Sequence, residues 1–148
     1  MSLQTVYNLS ASIGTSVSSS TWTYASLDAG IDNVSEALNE TVQQYFFMAD
    51  NGFATNHVTG AAPTITLTGR RIIGDAAQDY IFGKKYNLGE DRESSFKLEW
   101  QNATPKTVTL TVDCTICNIQ EWGGASTDDN AISFEIRFNG APTVTVAT

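Results

Sequence analysis

The chain has 148 residues, 41% hydrophobic and only 16% charged, and a chain of this length closes one core that buries about 68–70% of its unfolded surface. Its net charge of −8 at pH 7 argues against a tight grip on DNA or RNA, because that affinity comes from phosphate neutralisation by Lys and Arg. No apolar run approaches the roughly 18 residues of a membrane span, and Met1-Ser2-Leu3-Gln4 has neither the basic nor the apolar region of a secretory signal. A soluble protein made in the cytoplasm is expected.

The charge is unevenly placed. Residues 1–69 hold five acids and no Lys or Arg, residues 70–106 hold seven basic and six acidic side chains, and residues 107–148 hold one and five. Any basic surface therefore comes from the middle third. With 19 Thr and 13 Ser against 8 Lys plus Arg, the polar surface is mostly hydroxyl and amide, which suits pleated strands.

In chain order, the Ser/Thr-rich stretch Thr15–Thr21 reads as the connection from an N-terminal strand to the segment with Trp22 and Tyr24. Residues 31–48 are ambiguous. Val34, Leu38, Val42 and Phe46 recur every four residues, as on an amphipathic helix, and so do Asp28, Asp32, Glu36 and Glu40. A helix would make that acid stripe repel itself; a strand would put all four acids on one face, shared with Val34, Leu38 and Val42. The aromatic density of Val42 to Met48 favours strand there. Asp50-Asn51-Gly52-Phe53 through Ala61-Ala62-Pro63 reads as a long loop.

Period-2 alternation then predicts strands: Ile65 and Leu67 between threonines; Phe96, Leu98 and Trp100 between Lys97 and Glu99; and Val108, Leu110, Val112, Cys114 and Ile116 between polar residues. A phase slip to Cys117 and Ile119 predicts a bulge or the strand's end. Ile132, Phe134, Ile136 and Phe138 alternate likewise, and Asn139-Gly140 predicts a hairpin into Thr143–Val146. Between the first two of these strands, Gly69–Gly74 reads as a turn, and Asp75 as the N-cap of a two-turn helix ending at Gly83. That helix should lay Tyr80 and Ile81 on the sheet. The reading is one mainly β domain over residues 1–148, with one short flanking α-helix and a long extended loop.

Catalytic, cofactor and metal signatures are not found. Cys114 and Cys117 form a C-x-x-C without the second ligand pair zinc needs, and on a strand i and i+3 point to opposite faces, so they read as structural. His57, the only histidine, lies in the predicted loop with no nucleophile elbow elsewhere. Gly69–Gly74 lacks the phosphate-loop ending, and Glu90-Asp91 and Asp128-Asp129 read as solvated loop acids. What remains is a β-rich chain whose strand edges must be closed, covered or paired with another copy.

Val58-Thr59-Gly60-Ala61-Ala62-Pro63-Thr64-Ile65-Thr66-Leu67-Thr68-Gly69-Arg70-Arg71, followed by Gly74-Asp75-Ala76-Ala77-Gln78-Asp79-Tyr80-Ile81-Phe82, resembles the middle of the major tail (tail tube) proteins of long-tailed bacteriophages and prophages. The Ser35-to-Phe47 segment with its Gly52 loop and the Phe134-to-Val146 end are also similar. The resemblance implies a β-sandwich or half-barrel with one flanking helix, self-assembled into hexameric rings. Stacked rings form a hollow tube in the virion tail, assembled in the bacterial cytoplasm with other tail proteins, and DNA passes through as cargo rather than as a bound ligand. By that analogy Ala49 to Ala62 is an arm reaching a neighbouring ring.

Two sets of residues take functional readings from this. Asp28, Asp32, Glu36 and Glu40 are candidate lumen acids, with an acidic outer face as the other placement. Asn51, Gly52, Phe53, His57, Arg70, Arg71, Lys84 and Lys85 are candidate contacts between subunits, the basic ones being otherwise ordinary charge near a helix end. The competing function is a carbohydrate- or receptor-binding β-sandwich using Trp22, Trp100 and Trp122 as a platform, with Trp100 in phase with the core residues Phe96 and Leu98.

Overall fold

A computed structural model describes residues 3–103 and 106–147. Among them the strands are β1 (Ser10–Ser18), β2 (Thr21–Ser26), β3 (Ile31–Ala37), β4 (Thr41–Tyr45), β5 (Thr55–Gly60) and β6 (Thr64–Arg70), then helix α1 (Ala76–Gly83), then β7 (Glu93–Ala103), β8 (Lys106–Gln120), β9 (Ala131–Phe138) and β10 (Thr143–Val146). Strands β2-β1-β7-β8-β9-β6-β3 form one antiparallel sheet in that order, β10 pairs with β8, and β4 and β5 form a separate two-stranded hairpin.

The long sheet curls on itself. Leu98 and Trp100 of β7 line the same cavity as Val34 of β3 and Ile65 of β6, although β7 and β3 are four steps apart, about 19 Å on a flat sheet. The concave face holds one core: Ile13 from β1, Phe96 and Leu98 from β7, Leu110, Val112, Cys114 and Ile116 from β8, Ile132, Phe134 and Ile136 from β9, and Ile65 and Leu67 from β6. Each period-2 set read from the sequence supplies its buried face. Trp100 and Val34 pack half-buried against that core.

Helix α1 covers one end. Asp75 caps it, its side chain accepting from the Gln78 amide at 3.2 Å, and Ala77, Gln78, Ile81 and Phe82 are buried with Tyr80 beside them. The buried Gln78 amide is fully used. Its Nε2 donates to Arg70 O at 3.0 Å and its Oε1 accepts from Ile72 N at 2.8 Å. Here Gly69 and Gly30 meet backbone to backbone: a Cβ on Gly69 would strike Gly30 O, and one on Gly30 would strike Arg70 O and Gln78 Nε2. Arg70 N donates to Gly30 O at 2.8 Å, tying the start of β3 to the end of β6.

Four local expectations change. Residues 31–37 and 41–45 are strands, resolving the ambiguity; Val34 follows Ile31 on the core face at i+3 because the register shifts between Ile31 and Asn33, leaving Asp32 as a bulge. The long loop contains β5, so it is the second half of a hairpin rather than an irregular segment. The end of the chain is not a β9–β10 hairpin. Cys114↔Phe138 and Thr111↔Thr143 lie in succession on one edge of β8, so β9 and β10 are one interrupted strand. Asn139 holds the interruption, its N donating to Asp113 O at 2.7 Å and its Nδ2 to Thr115 Oγ1 at 2.8 Å. The expected bulge after Cys117 is present, as a register shift between Cys117 and Gln120 with Asn118 at φ 52°.

The fourth change is in the Ser/Thr-rich stretch, which is mostly strand. Ser18 pairs with Thr21, so Ser19-Ser20 alone make the β1–β2 turn, at φ 50° and 66°. Two positive φ values are what a type I′ hairpin turn requires, and Asn-Gly satisfies them with least strain. The double substitution Ser19→Asn with Ser20→Gly should therefore raise stability by about 1 kcal/mol, read as a higher urea midpoint at unchanged slope. An unmoved or lowered midpoint would mean the turn is not strained in this way.

Candidate functional site

The most exposed apolar surface is the β4–β5 hairpin. Neither strand pairs with anything but the other, and from Leu38 to Thr59 only Asp50 is even half-buried. Met48 is 99% and Phe53 77% exposed, with Phe46 and Phe47 also bare. The tip is nevertheless shaped. Met48–Asp50 form a 3-10 turn, Asn51 and Gly52 follow at φ 53° and 89°, Thr55 donates to the Asp50 carboxylate at 2.8 Å, and Tyr45 stacks on Phe47 with ring centroids 5.5 Å apart. Its base is tied by Ala62 N to Leu38 O and by Asn39 Nδ2 to Ala62 O, both at 3.0 Å.

A two-stranded hairpin is marginal alone in water, and a contiguous apolar patch of this kind marks an interaction surface. Asn51, Gly52, Phe53 and His57 are brought together on it, His57 facing Gln43 across the pair. The projecting hairpin begins at Leu38, earlier than the Ala49 at which the analogy started its arm. The β-prone runs Thr41–Tyr45 and Thr55–Thr59 carried the signal, with Val42 opposite Val58.

The basic residues lie at the other end of β6 and divide into two kinds. Arg71 and Lys85 are engaged within the chain: Lys85 Nζ sits 2.6 Å from Glu121 Oε1, and Arg71 reaches Asp79 Oδ1 at 2.7 Å and Glu121 Oε2 at 3.6 Å. The hydrogen bond that Lys85 donates to the Glu121 carboxylate holds its amine above the usual range. Arg71 also lies over the Phe82 ring at 5.0 Å. Arg70 is exposed and donates to Asp129 O at 3.1 Å; Lys84 lies over Tyr80 at 5.5 Å.

Glu121 and Arg92 were not singled out from the sequence. The Arg92 guanidinium donates to four carbonyls, Lys84 O (3.0 Å), Lys85 O (2.6 Å), Asn87 O (3.0 Å) and Ile116 O (2.9 Å), clamping the turn after α1 onto β8. Nothing in Glu90-Asp91-Arg92-Glu93 distinguishes it from a solvated charge run.

The four acids do not share one face. Asp28 lies in the turn before β3 and accepts from Ser10 Oγ and Ala11 N, both at 2.9 Å. Asp32 occupies the bulge, Glu36 shares the core-side face of β3 with Val34 at the mouth of a roughly 310 Å³ cavity, and Glu40 lies beyond the strand at the hairpin's base. The bulge and the strand's short length break the even spacing. All four carboxylates are exposed.

The tryptophans are likewise separate. Trp22 lies against Gly14 near Ser94 and Cys114. Trp100 is six residues further along β7, about 20 Å away, and Trp122 is in the β8–β9 connection, 72% exposed. No common platform forms. Burial pushes the Cys114 thiol up to about 12, so it stays neutral and inert near pH 7, and Cys117 donates weakly to Thr115 O.

No protein-family model matches the chain, and no curated protein matches it in sequence. Solved structures do match its fold. A chain of the tail of an empty gene transfer agent particle, refined with C6 symmetry, superposes with a TM-score of 0.68 at 12% identity, covering 97% of this chain and 99% of that one. A chain of the sheath-tube complex of an extracellular contractile injection system gives 0.62 at 12% identity over 97% and 91%, and one from the anti-feeding prophage tube-terminating cap gives 0.60 at 13% over 99% and 95%. The chain therefore has the tail tube fold, mainly β with one helix, as the resemblance in sequence implies.

The Arg92 clamp generates a stability prediction. Arg92→Ala leaves several half-buried carbonyls without their charged donor, which should cost about 2–4 kcal/mol. Arg92→Lys should recover only part of this, because an ammonium cannot span the same fork. Chemical denaturation of the three proteins checks it; equal stabilities would remove the clamp's role.

Proposed function

We propose that the chain is a structural subunit that assembles with copies of itself into hexameric rings stacked as a hollow tail tube. The observation that carries this is the β4–β5 hairpin, whose shaped tip exposes Phe46, Phe47, Met48 and Phe53 to no partner within the described chain. Such a surface marks a contact with another molecule, and the likeness of fold to chains of tail and tube assemblies supports a second copy as that molecule. The assembled tube belongs to a virion tail, built in the host cytoplasm with other tail proteins.

The charge supports genome passage. Hexameric rings of a chain at −8 carry about −48 each, and an acidic lumen repels phosphate so that DNA slides without adhering. Asp32, Glu36 and Glu40 lie on different faces around β3 but are all exposed, and together they are proposed to add negative charge to the wall of the bore; Asp28 contributes charge but is also tied to the start of β1.

Two outcomes test the proposal. Replacing residues 40–60 by a short Gly-containing turn should leave a folded core with a melting temperature within a few degrees of the parent, while abolishing the rings or tubes seen by negative-stain microscopy and solution mass at high concentration. Persisting tubes would refute the role of the hairpin. Converting Asp32, Glu36 and Glu40 together to Lys should preserve assembly yet reduce DNA delivery by the reconstituted particle at least tenfold; undiminished delivery would place these acids away from the DNA path.

A further inference from the structure

A second exposed apolar surface lies at the end of the sheet opposite the hairpin. Arg71, Lys85 and Glu121 converge there, and the residue following each is an uncovered apolar side chain: Ile72 (40% exposed), Tyr86 (86%) and Trp122 (72%), with Ile73 at 97%. The ion cluster fixes three separate segments, the β6–α1 turn, the chain after α1 and the β8–β9 connection. Asn130 adds a fourth tie, accepting from Arg71 N through its carbonyl and from Gly123 N through its side chain. Apolar groups held this firmly in water are organised for contact rather than left over from the core.

Strand β6 links the two surfaces. The hairpin enters it at Thr64, and the apolar cluster begins at Ile72, two residues after it ends at Arg70, about 20 Å away along the strand. A copy displaced along that direction brings the hairpin tip of one molecule to the cluster of the next. The contact uses two different patches, so it repeats head to tail without closing. The size is of the right order: Phe46, Phe47 and Phe53 are 66%, 54% and 77% exposed, so covering them removes roughly 300–500 Å² from water, to which the fully exposed Met48 adds, toward the roughly 800 Å² per partner of a stable interface. The charge fits as well. Residues 38–60 carry Glu40 and Asp50 and no Lys or Arg, a net of −2, whereas residues 70–92 hold five basic side chains against the four acids Asp75, Asp79, Glu90 and Asp91, a net of +1, with Arg70 exposed at the rim beside Asp128 and Asp129.

Resting on the tube function proposed above, we infer that the Ile72–Ile73, Tyr86 and Trp122 surface is the receptor for the β4–β5 tip of a second copy of this chain. This assigns the stacking contact to named residues on both sides. It also gives the intramolecular Arg71–Glu121–Lys85 cluster the role of positioning the receptor rather than bonding across the interface.

Disulfide trapping tests it. In a Cys117→Ser background, protein carrying Ala49→Cys at the tip is mixed with protein carrying Ile73→Cys, and Trp122→Cys serves as a second receptor variant; all three positions are on the surface, and melting curves verify folding. The mixture should form a linked heterodimer on oxidation, neither variant alone should link more than a tenth as much, and the double variant Ala49→Cys with Ile73→Cys should yield a ladder of multimers. Self-linking by Ile73→Cys alone would make the cluster a two-fold interface and overturn the inference. So would failure of position 49 to link to either 73 or 122 at concentrations where collisions are frequent. Electron microscopy of the unsubstituted protein reports on the tube function separately: rings or tubes without the 49–73 or 49–122 link would leave that function standing and remove only this receptor.

Discussion

The pairing of β8 is the constraint on which the rest of the structure depends. Its 15 residues bond to β7 along one edge and to β9 and then β10 along the other. Every backbone donor and acceptor taken out of water needs a partner, so a strand this long requires neighbours along its whole length. The chain meets the demand by running β9 and β10 in series, broken at Asn139-Gly140, where Gly140 takes φ 94°. The break and the bulge after Cys117 divide the second edge of β8, so that β9 can carry β6 and β3 around the core while β10 continues alone. The curl follows from these interruptions, and the curl encloses Phe96, Ile116 and Phe134.

At the helical end the fold is fixed by close approach rather than by apolar volume. Gly30 and Gly69 let two backbones touch, and the buried Gln78 amide satisfies the Arg70 carbonyl and the Ile72 amide that the crossing leaves without sheet partners. A buried polar network is stable when every member is bonded, and none of the buried side-chain nitrogen or oxygen atoms among the described residues lacks a partner. Arg92 and Glu121 extend the same logic outward, holding the turns around α1 against β8. The segments that carry the exposed apolar side chains of this end are thus tied to one another through Glu121, Arg71 and Lys85.

How much of this was legible in the sequence follows from where each interaction lies. The core strands were, because one buried face imposes period 2: Ile65, Leu67, Phe96, Leu98, Ile132 and Phe134 all occupy the faces their alternation predicts. The helix was too, since Asp75 is both a chemical cap and a local signal. Residues whose partners are remote in the chain were not. Arg92 bonds to Ile116 O across 24 positions and Glu121 to Lys85 across 36, and neither contact leaves a local pattern. The Asp32 bulge defeated the even spacing of the acids, since one inserted residue reverses every side chain after it. The direction of β10 depended on whether β8 or β9 offered the next free edge, which is a tertiary question. The first half of the hairpin was legible as strand from the aromatic density of Val42 to Met48, but its second half, β5, was read as loop because it has no buried face, and without one the alternation that marks a strand is absent.

That missing face reconciles the chain's apolar arm with its charge. In the role proposed above, the hairpin must stay uncovered until a proper neighbour arrives, yet exposed Phe and Met side chains beside open strand edges invite indiscriminate association. The net charge of −8 opposes it: two chains approaching at random repel, and in the contact inferred above the repulsion is partly relieved where the acidic hairpin segment meets the stretch that holds most of the Lys and Arg. Low overall charge density with a marked imbalance is therefore compatible with both needs. Few ion pairs have to be desolvated when the apolar surfaces close, while the long-range field still selects the orientation in which they meet. Long-range repulsion is screened by salt over roughly 8–10 Å, whereas burial of the Phe46, Phe47 and Phe53 rings is not. Assembly in the proposed role should accordingly become faster but less selective as ionic strength rises, the behaviour of an interface whose affinity is apolar and whose register is electrostatic.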